Sequence, residues 1–316
     1  MVHGLPALWS IRRAYPQAEL HAMVPASVAA LLDLAPWLDH RLGYAGRKAG
    51  LNREDLGWYR RLHSAGYDVC INLTGSNHAS ILAWTTRAPL RLGRRPWEDY
   101  KQGWRRLHTE VMDHPHQLEP MYQQWLACLG QAGLPTDAEF RIELPAGALA
   151  GAGIEAGVRY VHVSPCTTAD YRQLPAAQMA ELLERLHAGR PDCKLVLSST
   201  GSARERARME EIIKHLSFTP WRVLSGVLDV AGLAALIRGA TLHLSGDTGP
   251  LHLAVMQERP TVSWFRLHPF IAEYLPAGPQ HRAHVADSTA EDALHGLATA
   301  DLYNSAIALL DQVADQ

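Results

Sequence analysis

Residues 241–265, TLHLSGDTGPLHLAVMQERPTVSWF, hold the side chains best suited to chemistry. One apolar run ends at Leu244, the turn Ser245, Gly246, Asp247, Thr248, Gly249, Pro250 follows, and a second apolar run opens at Leu251. A strand, a glycine-bearing turn and a helix start in that order aim several backbone N–H groups at one place beside a helix N-terminus, which suits a phosphate. Thr248 adds a hydroxyl, His252 falls one turn later on the same helix face, and Asp247 either caps the helix or accepts from a ligand hydroxyl or ammonium. On these residues alone, a plain N-cap at Asp247 and a partly buried helix histidine at 252 are the simpler account.

Such a turn needs strands and helices to hold it, and the periodicity alternates between them as parallel α/β domains do. The first block predicts helix 6–15, strand 18–24, a helix near 26–33, strand 68–73, helix 77–87, a short strand near 90–93 and helix 117–132. The small-residue stretch 144–157, LPAGALAGAGIEAG, interrupts the pattern as an interdomain linker would. The second block predicts strand 158–163, helix 175–188, strand 193–198, helix 202–215, strand 222–224, helix 230–238, strand 241–244, helix 250–257 and strand 260–264. A last amphipathic helix, about 301–314, has the length to fold back across the domain junction. The domains expected are 1–145 and 146–316.

Composition narrows the class. The chain has 316 residues, 47% of them apolar, and a net charge of −2, enough for two domains with ordinary cores. Cys70, Cys128, Cys166 and Cys193 are scattered without C-x-x-C spacing, which fits a reduced, cytoplasmic chain better than a disulfide framework or zinc site. Among 17 histidines the tight cluster is Asp113, His114, Pro115, His116, read as a solvated loop or acceptor-site rim, so no metal ligand is assigned. No apolar run of about 18 residues and no signal-peptide pattern is present. No G-x-G-x-x-G follows a strand and no G-x-S-x-G occurs, which weakens dinucleotide-binding and hydrolase readings. The charge balance and the lack of an aromatic-basic sheet motif argue against nucleic acid as a partner.

The segment SGDTGPLHLA, preceded by AALIRGATLHL and followed by RPTVSWF, resembles the signature of the bacterial heptosyltransferases, glycosyltransferase family 9. Residues 161–175, VHVSPCTTADYRQLP, resemble the family's strand-turn segment with paired threonines, a basic residue and a proline before a helix. Residues 195–207, LVLSSTGSARERA, are similar to its strand, glycine and glutamate segment, and GLPALWSIRRAYPQAELHAMV is similar to its first helix and second strand. The likeness runs from end to end, strongest over 158–265 and thin over 90–145. It implies a GT-B fold, two Rossmann-like domains facing across a cleft, with an N-terminal acceptor-binding and a C-terminal nucleotide-sugar-binding domain.

Transfer of a sugar from a nucleotide diphosphate requires charge stabilisation for the leaving group. Thr167 and Thr168 offer hydroxyls, Arg172 a permanent charge, and the amides of Thr248 and Gly249 helix-terminus donors. The resemblance implies that these bind the diphosphate without a metal or other cofactor; lysine is usual in the family where this chain has Arg172. It further implies Glu205 at the ribose, although the run RERARMEE equally suits a solvated helix face, and Asp247 and His252 at the donor sugar and phosphate. Residues 224–233, LSGVLDVAGL, are expected to line the base pocket.

The family's base is an aspartate just after its first strand. The alignment of Met1, Val2, His3, Gly4, Leu5, Pro6 puts both that strand and that aspartate ahead of Met1, and His3 is the substitute the chain offers by pKa. A late start or a departed member lacking the base would each produce this pattern. On the acceptor side, residues 91–106, RLGRRPWEDYKQGWRR, carry six basic against two acidic residues among Trp97, Tyr100 and Trp104. Arg94, Arg95, Lys101 and Arg105 are thereby candidates for an anionic glycan or lipid-linked acceptor, or for peripheral contact with the inner face of the cytoplasmic membrane; a solvated loop is the alternative. Residues 265–268 replace a glycine-proline-threonine turn common in the family, which bears on sugar or acceptor specificity.

The function these features imply is inverting transfer of heptose from ADP-heptose to a lipopolysaccharide-core or related acceptor. Transfer from another nucleotide sugar, or sugar-nucleotide binding without catalysis, remain open on sequence.

Overall fold

A computed structural model describes residues 2–45, 53–95, 102–114, 119–137, 139–155 and 157–314. It divides into two compact units, His3–Arg141 and Ile142–Gln316.

The first unit contains helices α1 (Leu5–Ala14), α2 (Arg53–Ser64), α3 (Asn77–Thr85) and α4 (Met121–Gln131). Its strands are β1 (His21–Pro25), β2 (His40–Tyr44), β3 (Val69–Asn72), β4 (Leu90–Arg94) and β5 (Glu110–Met112). Pro6 in the first turn of α1 and the Ser76 hydroxyl, which accepts from the Ala79 amide, fix two helix starts. The strands pair in parallel as two sheets, β1-β2 and β3-β4-β5. Ala7 and Ile11 of α1 and Cys128 and Leu129 of α4 pack with Leu92 and Met112 to form its core.

Two expectations change here. Residues Ala26–Leu34 form a 3-10 segment and not an α-helix; bounded by Pro25 and Pro36, the stretch is too short to nucleate a full helix on its own. Strands β2 and β5 and helix α2, none of them anticipated, occupy intervals that looked like loops. The end of the predicted helix at 117–118 lies outside the described residues.

The second unit is a single parallel sheet of order β11-β10-β9-β6-β7-β8. Its strands are β6 (Tyr160–Ser164), β7 (Lys194–Ser199), β8 (Arg222–Ser225), β9 (Leu242–Gly246), β10 (Thr261–Phe265) and β11 (His281–Val285). Its helices are α5 (Ala176–Gly189), α6 (Ala203–Lys214), α7 (Val230–Gly239), α8 (Gly249–Met256) and α9 (Thr299–Ala314). One sheet face, Val161, Val163, Leu195, Leu197, Leu242, Leu244, Val262 and Trp264, packs on α5, α6 and α9. The buried side of α9 lies on α5, β9 and β10. The stretch after Ile142 is not an unpacked linker: Ala152 is buried, and Leu149 and Ile154 pack with Trp221 and Leu228 beside Tyr160, Val196 and Leu236 of α7.

The opposite sheet face carries an unexpected polar row. Register places His162 opposite His243, His243 opposite Thr261, and Thr261 opposite His281. The two central rings approach with Nδ1 atoms 3.0 Å apart, His162 Nε2 is 2.8 Å from Ser198 Oγ, and Thr261 Oγ1 is 2.9 Å from His281 Nδ1. These contacts satisfy most of the row's buried polar atoms, while His243 Nε2 has no hydrogen-bond partner. Burial pushes His162 down to about 3 and His243 well below the ordinary histidine value, so both rings are neutral.

Candidate active site

The order β11-β10-β9-β6-β7-β8 reverses direction between β6 and β9, since the chain runs outward from β6 to β7 and β8 and outward again from β9 to β10 and β11. In open parallel sheets such a switch point, at the C-terminal strand ends, is where ligands bind. Ser164 pairs with Ser245, so both strands end together and release the loops 165–175 and 247–248 side by side.

Asp247 joins those loops. Its Oδ2 lies 3.1 Å from Arg172 Nη1 and its Oδ1 3.2 Å from His252 Nε2. Burial raises the Asp247 carboxyl, but the hydrogen bond and charge of His252, then the charges of Arg172 and His268, outweigh it and hold the group below the usual carboxylate range. Asp247 is thus an anion at neutral pH with a cation on one side and an imidazole on the other.

Thr248, and not Asp247, caps α8: its hydroxyl accepts from the Leu251 amide at 3.4 Å and lies 2.8 Å from Ser245 Oγ. That leaves the Asp247 carboxylate out of the capping role. Gly246 permits the close approach of the two loops, because a Cβ there would stand 2.6 Å from the Arg172 carbonyl oxygen and 2.7 Å from Trp264 Nε1. Gly249, at the first turn of α8, is exposed and has open space around it.

The paired threonines divide. Thr167 is buried and its hydroxyl donates to the Ala169 carbonyl, so it orders its own loop. Thr168 is exposed. Arg172 keeps about a third of its side chain in solvent while holding Asp247. Glu205 sits in the first turn of α6, behind the Ser202 cap, and its Oε2 accepts from the Thr200 amide and hydroxyl, both at 2.6 Å. Beside it Arg204 donates to the Thr167 carbonyl at 2.8 Å and pairs with Asp170, tying α6 to the threonine loop. A hollow of about 550 Å³ lies here, lined by Asp170, Gln173, Arg204, Glu205, Arg208 and His295 among others. At the ends of β7 and β8, Gly201 and Gly226 have positive φ and face one another, with room for no Cβ on Gly201. Asp229, in the expected base-pocket segment, caps α7 by accepting from the Gly232 amide at 2.7 Å.

Other residues join Asp247 through the fold. Tyr274 stands near His252 and His268, with ring centroids 6.1 and 5.9 Å apart, and its phenol is raised by burial first and by Glu273 and Asp247 next. Arg266 lies 4.2 Å from the ring centroid of Tyr171, whose neighbour is Arg172. The unusual 265–268 segment signalled Arg266 and His268, whereas nothing local marked Tyr171 or Tyr274.

In the first unit, His3 lies in the single 3-10 turn Val2–Gly4 with both ring nitrogens shielded from solvent, which does not suit proton exchange with an acceptor. Arg94, one of the four acceptor-side cations, is only 3% exposed and donates to Gln124 Oε1 at 2.6 Å. Its guanidinium therefore belongs to the interior. Arg95 pairs with Asp113 at 3.2 Å, and Arg105 is exposed, its guanidinium 5.5 Å from the Trp104 ring. Lys101, with Trp97 and Tyr100, lies outside the described residues. His114 is 2.9 Å from Glu119 Oε1, and His116 is outside the described residues.

The sequence profile of glycosyltransferase family 9 (heptosyltransferase) matches residues 57–290. The chain belongs to glycosyltransferase family 9. It is 23% identical over 273 residues to the lipopolysaccharide core heptosyltransferase OpsX of Haemophilus influenzae, covering 84% of this chain and 75% of that protein. Its fold is similar to a family 9 glycosyltransferase structure from Veillonella parvula, with TM-score 0.81 and 18% identity over 98% of this chain and 93% of that one. It is also similar to the Escherichia coli heptosyltransferase WaaC solved with ADP, with TM-score 0.75 and 17% identity over 99% of this chain and 95% of that one. This family 9 member is an α/β protein of GT-B type and a glycosyltransferase. Among its described residues no helix is long and apolar enough to cross a membrane, and its four cysteines are free.

Proposed function

We propose that this family 9 enzyme moves heptose from ADP-heptose to a phosphorylated or acidic glycan of the lipopolysaccharide-core class, with inversion at the anomeric carbon. The observation that carries the reading is the Arg172–Asp247–His252 line at the switch point between β6 and β9. A solved relative that binds ADP supports the choice of nucleotide.

In this scheme the second unit takes the donor. The diphosphate lies against Thr168, the Arg172 guanidinium and the amides of Thr248 and Gly249, where charge growing on the leaving group meets fixed donors and needs no metal ion. Arg172 has five N–H donors and can keep Asp247 while holding a phosphate oxygen. Thr167 acts by shaping that loop. Asp247, with His252 fixing its orientation, accepts from a sugar hydroxyl and stabilises positive charge on the oxocarbenium-like sugar. Glu205 accepts from the ribose, and residues 224–233 flank the adenine. The first unit takes the acceptor, with Arg95, Lys101 and Arg105 as its anion contacts, in the cytoplasm at the inner face of the cytoplasmic membrane.

The test is thermal unfolding with ADP, UDP or GDP, repeated on Asp247→Ala and Thr168→Ala. A nucleotide at about 100 times its dissociation constant stabilises by roughly 2.7 kcal/mol. Selective stabilisation by ADP, lost in both variants, is the expected outcome. A preference for UDP or GDP would replace the donor, and no response to any nucleotide would leave a non-catalytic relative.

A further inference from the structure

A second constellation stands in the first unit. In the parallel pair β1-β2, His21 lies opposite His40, and their ring centroids are 4.2 Å apart. Glu19, two residues before His21, places one carboxylate oxygen, Oε1, 3.0 Å from His21 Nε2 and 2.9 Å from His40 Nε2. The three potential ligand atoms all lie within 4.8 Å of one another.

What separates this trio from an ordinary surface ion cluster is the contact behind it. His21 Nδ1 is 2.8 Å from the Tyr67 hydroxyl, and the Tyr67 ring packs edge-on against the imidazole at 5.2 Å. That contact fixes the ring plane and points Nε2 at the carboxylate. An orienting partner on the second nitrogen is the usual companion of a metal-bound histidine. Two imidazoles and one carboxylate, at the exposed mouth of a two-stranded sheet, match divalent ions of borderline softness. With metal–nitrogen and metal–oxygen bonds of about 2.0–2.2 Å, tetrahedral ligand atoms stand roughly 3.4 Å apart, so an ion would open each of the two oxygen–nitrogen spacings by only about half an ångström.

We propose that Glu19, His21 and His40 bind one divalent transition ion, zinc foremost, through a carboxylate oxygen and two Nε2 atoms, with water completing the shell. Binding takes the Nε2 lone pairs, so each neutral ring carries its proton on Nδ1, where at His21 the Tyr67 hydroxyl accepts it. The ion clasps β1 to β2, a pair that as an isolated two-stranded sheet has little stability of its own. Its role is in the fold of the first unit and not in sugar transfer.

The experiment is calorimetric titration of the full, untagged chain with zinc chloride, paralleled by cobalt(II) as an absorbing probe and by melting with and without chelator. One equivalent should bind, with cobalt bands of low-symmetry, four- or five-coordinate type and a higher melting temperature. His21→Ala and His40→Ala should each abolish the saturable phase and the thermal shift, while melting in chelator stays as in the parent. Tyr67→Phe, which keeps the ring and removes the orienting hydroxyl, should weaken zinc by about 10-fold. His63→Ala, an exposed histidine on α2, should change nothing. Zinc binding that survives His21→Ala with His40→Ala, or no saturable binding to the parent chain, would overturn the assignment.

Discussion

Arg172 and Asp247 meet at 3.1 Å although they belong to different βα loops, so the ends of β6 and β9 are joined by one ion pair. Arg172 is partly solvated, and such a pair adds little to stability. Its weight falls on ligand binding. Arg172→Ala should lower ADP affinity by roughly 10- to 100-fold, the range for losing a charged hydrogen bond of about 1.5–3 kcal/mol, while Arg172→Lys keeps most of it. Calorimetry of the two variants against the parent decides this, and equal affinities in all three would remove Arg172 from the donor site.

Thr248 caps α8 and touches Ser245. Thr248→Ala should cost about 1 kcal/mol in urea unfolding, whereas Thr248→Ser retains the cap. ADP binding should fall in the alanine variant by more than the stability loss accounts for, because the first turn of α8 would fray at the proposed phosphate position.

Gly246 has no room for a methyl group between the Arg172 carbonyl and the Trp264 indole. Gly246→Ala should destabilise the second unit by about 1–3 kcal/mol through overpacking. It should also displace the Arg172 loop, so a variant with parental ADP affinity would contradict the loop-to-loop arrangement described.

The neutral pair His162 and His243 sets a pH dependence. Both are held below the unfolded histidine value, so the unfolded chain binds protons first as pH falls, and the stability they contribute is present above about pH 6.5 and is lost progressively below it, for His162 down to about pH 3. Each ring that stays neutral in the fold while the unfolded chain takes up a proton steepens the fall of stability with pH. Urea unfolding at a series of pH values should show this slope, reduced by close to one proton in His162→Asn. An unchanged slope in that variant would assign the acid sensitivity elsewhere.

The turn between β9 and α8 was legible because its residues are contiguous: Asp247, Thr248, Gly249 and His252 lie within six positions, and strand, turn and helix follow one another in sequence. The helix and strand pattern of the second unit was legible for the same reason, since buried runs such as VRYVHV and KLVLSS announce themselves. Strands β2, β5 and β11 did not. β2 reads HRLGY with His40 and Arg41 exposed, β11 reads HRAHV with a histidine at its buried position 281 and apolar residues exposed, and β5 has only three residues. Helix α2, REDLGWYRRLHS, is dominated by charge and hides a stripe whose buried members include Asp55 and Leu62. The histidine row was illegible because His162, His243 and His281 are far apart in sequence and only strand register aligns them. Arg94 misled by its charge: in a basic run it looked like a solvent-facing cation, but Gln124 gives it a buried partner.

The strands of the first unit form two separate hydrogen-bonded sheets, β1-β2 and β3-β4-β5, whereas those of the second unit form one. Two short sheets present four edges where one continuous sheet presents two, and an amide on an edge has no ladder partner on its outer side. Amide deuterium uptake should accordingly be fastest along β1, β2, β3 and β5 and slowest at β6 and β9, so that the chain opens from its first unit while the sheet of the second unit is still closed.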